Sequence, residues 1–302
     1  MTESRPKSRG FSLVEIAIVL AILGFVLTIG LQATGAYLSQ ERRKVSLARV
    51  AGLDVALANY VAVQGRLPCP ADGSLATGVA LAGVEARTAA TGVCTAMDTG
   101  VVPWVTLGLT ETEALDGWNT RISYRTITAV AVPAALGFTS NRSLDATGCD
   151  PGATVERNPP PPAVQPPVPR EACVAGCTLA NLAFVANCTS PLNFVTGRGL
   201  TVRDAVAGTL LMDPAASTGA AYVLISHGEN RGRGYDRAGT LQAGTPANDV
   251  LEAPNANNQA LPAAFIDAPF NDSDGAARFD DIVSRPTLMT LLVKAGLAPR
   301  AH

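Results

Sequence analysis

The sequence is poor in the residues and motifs that enzymes commonly use. It contains only two histidines, His227 and His302, and the second lies at the end of the sequence. Ser226 precedes His227 on a predicted strand, where neighbouring side chains point to opposite faces, so these two cannot form a nucleophile–base pair. No Gly-x-Ser-x-Gly motif, phosphate-binding loop or zinc motif is present. We therefore predict that the protein is not an enzyme.

Charged residues are also scarce, and neither sign predominates. They make up 16% of the 302 residues, and the formal net charge is −2. A protein that binds nucleic acid through its phosphates needs a basic excess. Because this chain has none, we predict no nucleic-acid partner.

Charge is absent altogether from one stretch near the N-terminus. The 25 residues Ile16–Gln40 are uncharged, and the first part of this stretch is rich in Ile, Val, Leu and Ala. A helix needs about 20 apolar residues to cross the hydrocarbon core of a bilayer, so we predict a membrane-spanning segment at about 14–38. The basic residues Arg5, Lys7 and Arg9 precede it, which predicts a cytoplasmic N-terminus.

One carboxylate, that of Glu15, stands at the start of this apolar segment. A charge near the hydrocarbon edge costs on the order of a few kcal/mol, so we expect the carboxylate to have a use. Cleavage after Gly10 would give Phe11 a new amine and would make Glu15 the fifth residue, one helical turn from that amine. The carboxylate could then pair with its own N-terminus or with that of a neighbouring subunit, which would set the register of assembly.

The N-terminus resembles the class III signal of type IV pilins and of type II secretion pseudopilins in the residues Gly10-Phe11-Ser12-Leu13-Val14-Glu15 and in the apolar run after them. In that family a prepilin peptidase cleaves after the glycine and methylates the new N-terminal phenylalanine, and the glutamate is needed for assembly. The resemblance therefore implies processing at Gly10 and Phe11, and an assembly role for Glu15.

Two other interpretations of the N-terminus compete with this one. It could be a plain signal anchor, or a secretory signal peptide cleaved after Ala33-Thr34-Gly35. Neither explains why Gly10, Phe11 and Glu15 hold these relative positions.

We predict an α+β fold in which a long N-terminal helix carries a globular head built on an antiparallel β-sheet. Half of the helix is expected to span the membrane and half to pack on the head, because its later apolar residues fall at helical spacing before Gly65 ends it. Two strands are predicted for the sheet: a half-buried strand at 121–127, where apolar and polar residues alternate, and a strand at 220–226 that is apolar enough to be central. The predicted domains are a leader at 1–10, the helix at 11–65 and the head at 66–302.

All six cysteines follow the membrane segment and would lie in an oxidising compartment, where disulfides form. Cys69 and Cys94 flank one loop and are the preferred pair. A zinc site at Cys173 and Cys177 is less favoured, because no second ligand pair accompanies them. A proline-rich insertion at about 140–195, which we interpret as a spacer, contains the four cysteines whose pairing stays open: Cys149, Cys173, Cys177 and Cys188.

The last third of the sequence is rich in oxygen ligands of the kind that calcium prefers. The loop Ile225–Gly232 and the later Asp280-Asp281-Ile282 resemble the calcium-binding loop and terminal Asp-Ile of pseudopilins, and Asp116-Gly117-Trp118-Asn119 resembles their aspartate–tryptophan turn. The alternative is a solvated surface rich in turns, since no EF-hand spacing is present. Calcium is therefore a candidate cofactor, with five candidate ligands that flank predicted strands: Glu229, Asn230, Glu252, Asp280 and Asp281.

Together these features predict a structural subunit of a type IV pilus or of a type II secretion filament. A minor subunit is favoured, because a large head fits poorly at every position of a thin filament. The predicted partners are other pilin or pseudopilin subunits, the prepilin peptidase, the inner-membrane assembly platform and the membrane. The predicted location is the bacterial inner membrane in a single pass, followed by a periplasmic or cell-surface filament. The alternative is a membrane-anchored extracytoplasmic binding protein or adhesin that does not polymerise.

Overall fold

The computed structural model describes residues 12–88, 93–128, 137–141, 143–146, 195–243, 250–257, 259–273 and 275–298. The chain divides into two compact units, Met1–Arg43 and Lys44–His302. Helix α1 (Leu13–Gln64) contributes residues to both units. Gly65 follows it with a φ of 64°, the left-handed conformation in which glycine commonly ends a helix. The helix therefore ends where the sequence indicates.

One described helical stretch, Tyr37–Gln64, is long and apolar enough to cross a membrane, and Leu13–Phe25 is a shorter apolar stretch. The longer one contains the charged run Glu41–Lys44. It also places Leu53 and Leu57 in the core of the second unit, where neither is more than 1% exposed. We therefore interpret its later part as a helix packed on the head.

The described residues of the second unit form eight strands, a second α-helix and two short 3-10 helices. In chain order the elements are β1 (Ala71–Asp72), β2 (Gly100–Val101), η1 (Glu111–Ala114), β3 (Ser123–Thr126), β4 (Val202–Arg203), β5 (Leu210–Met212), β6 (Tyr222–Ser226), η2 (Ala253–Asn255), β7 (Phe265–Ile266), β8 (Ile282–Ser284) and α2 (Leu288–Lys294). In the larger sheet the strand order is β1–β2–β3–β6–β8, and all described pairs are antiparallel. The predicted antiparallel sheet is thus confirmed.

Strands β3 and β6 fall within the two stretches predicted from sequence, and β6 lies inside the sheet as expected. The prediction that β3 is half-buried is wrong, because all four of its residues are buried. Its buried polar side chains have partners in the head: Ser123 Oγ lies 2.6 Å from His227 Nε2, and Arg125 Nη2 donates to the Asp98 carbonyl at 3.0 Å. The alternation of apolar and polar residues in β3 therefore reflects two buried faces of the strand, one apolar and one polar, and neither face is exposed to solvent.

Helix α1 is attached to the head by one apolar face and by polar contacts at its margins. The buried residues Val50, Leu53, Leu57 and Val61 recur at helical spacing and belong to the main core. Asp54 accepts hydrogen bonds from Tyr222 Oη of β6 at 2.9 Å and from Ser284 Oγ of β8 at 2.8 Å. Burial raises the pKa of this carboxyl. A fully buried leucine contributes about 1.5–3 kcal/mol, so the apolar face provides most of the attachment.

The aspartate–tryptophan turn adds a second attachment of α1. Asp116 Oδ1 accepts the Trp118 and Thr120 amides, each at 2.9 Å, which fixes the turn. Arg49 Nη1 donates to the Asp116 carbonyl at 2.9 Å, and the Gly117 amide donates to Ser46 Oγ at 2.8 Å. Burial raises the pKa of the Asp116 carboxyl to about 6. The predicted turn thus connects α1 to the start of β3.

The smaller sheet has the strand order β5–β4–β7, with an antiparallel pair and one parallel pair, β4 with β7. Its core face carries Val202, Met212 and Phe265, all buried. The sequence did not predict this sheet, because strands of two or three residues are too short to show alternation.

The predicted disulfide between Cys69 and Cys94 is confirmed, with a Cα–Cα distance of 5.4 Å. It closes the loop between the end of α1 and β2. The other four cysteines and nearly all of the proline-rich insertion lie outside the described residues.

Candidate functional site

The N-terminal candidate site is described only from Ser12 onward, so Gly10 and Phe11 lie outside the described residues. The start of α1 forms a capping box, the pattern Ser-x-x-Glu. The Ser12 amide donates to Glu15 Oε2 at 2.8 Å, and the Glu15 amide donates to Ser12 Oγ at 3.2 Å. Glu15 therefore has a local structural role that the sequence prediction missed, although the Ser-x-x-Glu pattern at 12–15 would have shown it.

The stretch Val45–Gln64 of α1 has an outer face without charge. From Val45 to Gln64 every exposed residue is uncharged, and many are small. Its charged residues Arg49 and Asp54 are partly buried and bind the head. A solvent-facing helix surface normally carries charged and polar side chains. The exposed set is Val45, Leu47, Ala48, Ala51, Gly52, Val55, Asn59, Ala62, Val63 and Gln64.

A second candidate site is an acidic cluster in the head. Glu252, Asp280 and Asp281 are buried, and each places one carboxylate oxygen within 4.8 Å of the others. We call these three residues the acidic cluster. Strand pairing brings Asp280 and Asp281 beside the residues that follow β6, because Ser226 at the end of β6 is paired with Ile282 at the start of β8. Glu252 belongs to neither strand: it precedes η2 and joins the cluster through the hydrogen bond that it accepts from the Asp280 amide.

All five predicted calcium ligands meet at this point, but they do not contribute equally. The Glu229 and Asn230 amides each donate to Asp280 Oδ2 at 3.0 Å. Asn230 Nδ2 donates to Glu252 Oε2 at 2.5 Å, and the Asp280 amide donates to Glu252 Oε1 at 2.6 Å. The Glu229 side chain is exposed and lies outside the acidic cluster. Glu229 thus takes part through its backbone, whereas the sequence proposed its carboxylate.

The acidic cluster brings three carboxyl groups together in a buried place. Arg278 Nη2 forms an ion pair with Asp280 Oδ2 at 3.0 Å. Burial, reinforced by the nearby Asp281, raises the pKa of Glu252 to about 9. Asp280 Oδ1 is buried and has no hydrogen-bond partner within the described part of the chain. A set of close carboxylate oxygens, one of them without a partner, is chemically suited to a hard divalent cation.

Ser226 and His227 point to different partners, as the strand geometry predicts. Ser226 Oγ donates to Asp116 Oδ2 at 2.9 Å. His227 lies between Ser123, at 2.6 Å, and Asp281, whose Oδ1 is 4.0 Å from Nδ1. Ser123 is fully buried, and burial lowers the pKa of His227 to about 4. The His227 imidazole is therefore neutral at neutral pH, and Ser123 is buried within the part of the chain that the structure describes.

Residues 5–31 match the family model of the prokaryotic N-terminal methylation motif. The matched residues include Gly10, Phe11 and Glu15, and the match supports a type IV pilin-like or pseudopilin-like protein. The chain has no match among curated proteins and none among solved structures.

Proposed function

We propose that the protein is a structural subunit of a type IV pilus or of a type II secretion-type filament, most simply a minor one. The methylation motif at residues 5–31 carries this proposal. In the proposed sequence of events, the N-terminal helix spans the inner membrane at about 14–38 and the prepilin peptidase cleaves after Gly10. The subunit then leaves the membrane and packs by its helix against other subunits, with Glu15 beside a neighbour's Phe11 amine.

The uncharged outer face of α1 supports assembly by helix packing. It remains exposed although the opposite face already packs on the head. Small residues such as Ala48, Ala51 and Gly52 let a second helix approach closely. An adhesin that never polymerised would have no use for such a face.

A charge introduced on this face should block assembly without unfolding the head. Val55 is 57% exposed and lies at the centre of the face. We expect Val55→Lys to reduce filament or secretion yield roughly tenfold or more, because an unpaired charge buried between helices costs several kcal/mol. Val293→Lys is the matched control, because this α2 residue is 65% exposed. Equal yields from both variants, at equal protein levels and melting temperatures, would contradict packing through this face.

We also propose that the acidic cluster binds calcium. Three buried carboxyl groups each place an oxygen within 4.8 Å of the others, and Asp280 Oδ1 lacks a hydrogen-bond partner within the described part of the chain. Glu252, Asp280 and Asp281 would be the carboxylate ligands, and backbone carbonyls or water would complete the six to eight oxygens that calcium takes. The ion would neutralise the carboxylates and so stabilise the junction of β6 and β8.

Removing calcium should lower the melting temperature of the head. At a free concentration one hundred times the dissociation constant, binding stabilises a fold by about 2.7 kcal/mol, or roughly 5–10 °C for a domain of this size. We expect Glu252→Gln to lose this shift and Glu229→Gln to keep it, because the Glu229 carboxylate lies outside the acidic cluster. Identical wild-type melting curves in calcium and in chelator would refute the site.

A further inference from the structure

Asn255 connects the acidic cluster to the smaller sheet through three hydrogen bonds. Its Nδ2 donates to Asp281 Oδ2 and to the Ile266 carbonyl, each at 2.8 Å, and its Oδ1 accepts the Ile266 amide at 2.9 Å. The side chain is fully buried. The side-chain amide of Asn255 thus bonds to both the N–H and the carbonyl of Ile266. It satisfies the outer edge of β7 as a neighbouring strand would.

Strand β7 and the 3-10 helix η2 both line an open cavity on the outer face of the smaller sheet. The cavity has a volume of about 930 Å³, and its lining includes Arg203 and Leu210 on one side and Pro254 and Ile266 on the other. Helix η2 begins directly after Glu252. The wall formed by η2 and β7 is therefore joined to the acidic cluster at two points, through the chain at Glu252 and through Asn255 at Asp281.

We propose that a cation bound at the acidic cluster fixes this cavity wall through Asn255. The inference rests on the cation site proposed above. A cation that binds Glu252 holds the start of η2, and one that binds Asp281 holds the acceptor of the Asn255 amide. Without the cation, neither of these two points is anchored by a bound ion, so the wall is held less firmly. The position of the cavity wall then depends on the calcium concentration.

Hydrogen exchange at single amides tests this coupling directly. The Ile266 amide donates to the Asn255 side chain. The amides of its neighbours Phe265 and Asp267 donate instead to the Thr201 and Arg203 carbonyls at the adjacent strand β4. In the full chain in detergent micelles, we expect calcium to slow exchange at Ile266 on the order of tenfold more than at those two neighbours. General stabilisation of the head would slow all three amides alike.

Two substitutions separate the coupling from calcium binding itself, which calorimetry measures on the same samples. Asn255→Ala should still bind calcium, on the order of tenfold more weakly because coupling between two sites is reciprocal, but should lose the extra protection at Ile266. Gln259→Ala should retain that protection, because Gln259 Nε2 braces η2 at the Ala253 and Pro254 carbonyls without touching the acidic cluster.

The possible outcomes are distinct. If calcium binds to the wild type and Ile266 changes no more than its neighbours, the coupling is wrong while the cation site stands. If calcium does not bind, both proposals fall. Should Asn255→Ala fail to fold, the wild-type comparison of Ile266 with its neighbours decides the question.

Discussion

A Glu15→Ala variant is expected to enter the membrane and to be cleaved, yet to give no filament. The carboxylate lies at the start of an apolar helix, where the free energy of burying its charge is offset only if it meets a positive charge. In the proposed assembly, cleavage after Gly10 supplies such a charge as the Phe11 amine, and the amine that meets Glu15 is that of a neighbouring subunit. We expect loss of surface filaments or of secretion, measured by electron microscopy or by secreted protein, with normal amounts of mature subunit in the membrane.

The capping box requires a second variant, because Glu15 also caps α1 through the Ser12 amide. Glutamine fits a capping box as well as glutamate does, so Glu15→Gln keeps the cap and removes only the charge. If the charge is what assembly needs, Glu15→Gln fails like Glu15→Ala. Normal assembly by Glu15→Gln would assign the residue to capping, and normal assembly by both variants would favour the non-polymerising adhesin.

Loss of the Cys69–Cys94 disulfide is expected to destabilise the head substantially. The two cysteines are 25 residues apart, and closing a loop of that length stabilises a fold by about 3.5 kcal/mol in the chain-entropy description. The Cys69→Ala/Cys94→Ala double variant should therefore melt roughly 7–14 °C below the wild type. The Cys69 amide also donates to Glu85 Oε2 at 3.0 Å, and the same oxygen accepts a hydrogen bond from Arg66 Nη1 at 2.9 Å. The disulfide thus fixes the segment that leaves α1.

A reducing agent provides the control for this prediction. It should lower the melting temperature of the wild type toward that of the double variant. Any further shift in the reduced double variant measures the contribution of the remaining four cysteines. An unchanged melting temperature in the double variant would contradict a stabilising role for this disulfide.

The features that the sequence revealed are those with a local or compositional signal. The charge-free segment predicts the anchor, Gly65 predicts the end of α1, and the apolar run 220–226 predicts β6. Four of the calcium candidates, Glu229, Asn230, Asp280 and Asp281, lie close together because they flank β6 and β8, which pair with each other. The local sequence pattern thus identified the candidate residues, and the pairing of the strands determines which of them meet.

The features that the sequence did not reveal depend on contacts between distant residues. Asn255 could not be distinguished from other surface-type asparagines until η2 placed it between Asp281 and Ile266. The contact of Ser123 with His227 joins strands that are separated by 104 residues in the chain. Glu229 looked like a ligand because of its residue type, but the turn after Gly228, whose φ is 59°, directs its amide rather than its carboxylate to the cluster.

The central claim is that the N-terminus is a prepilin signal, and the mass of the mature N-terminal peptide tests it most directly. Protein isolated from the membrane should yield a peptide that begins at Phe11 and carries one added methyl group on its amine. A peptide that begins at Ala36 would instead show secretory signal cleavage, and a peptide that retains residues 1–10 would show an uncleaved anchor. Either of these results would contradict the account.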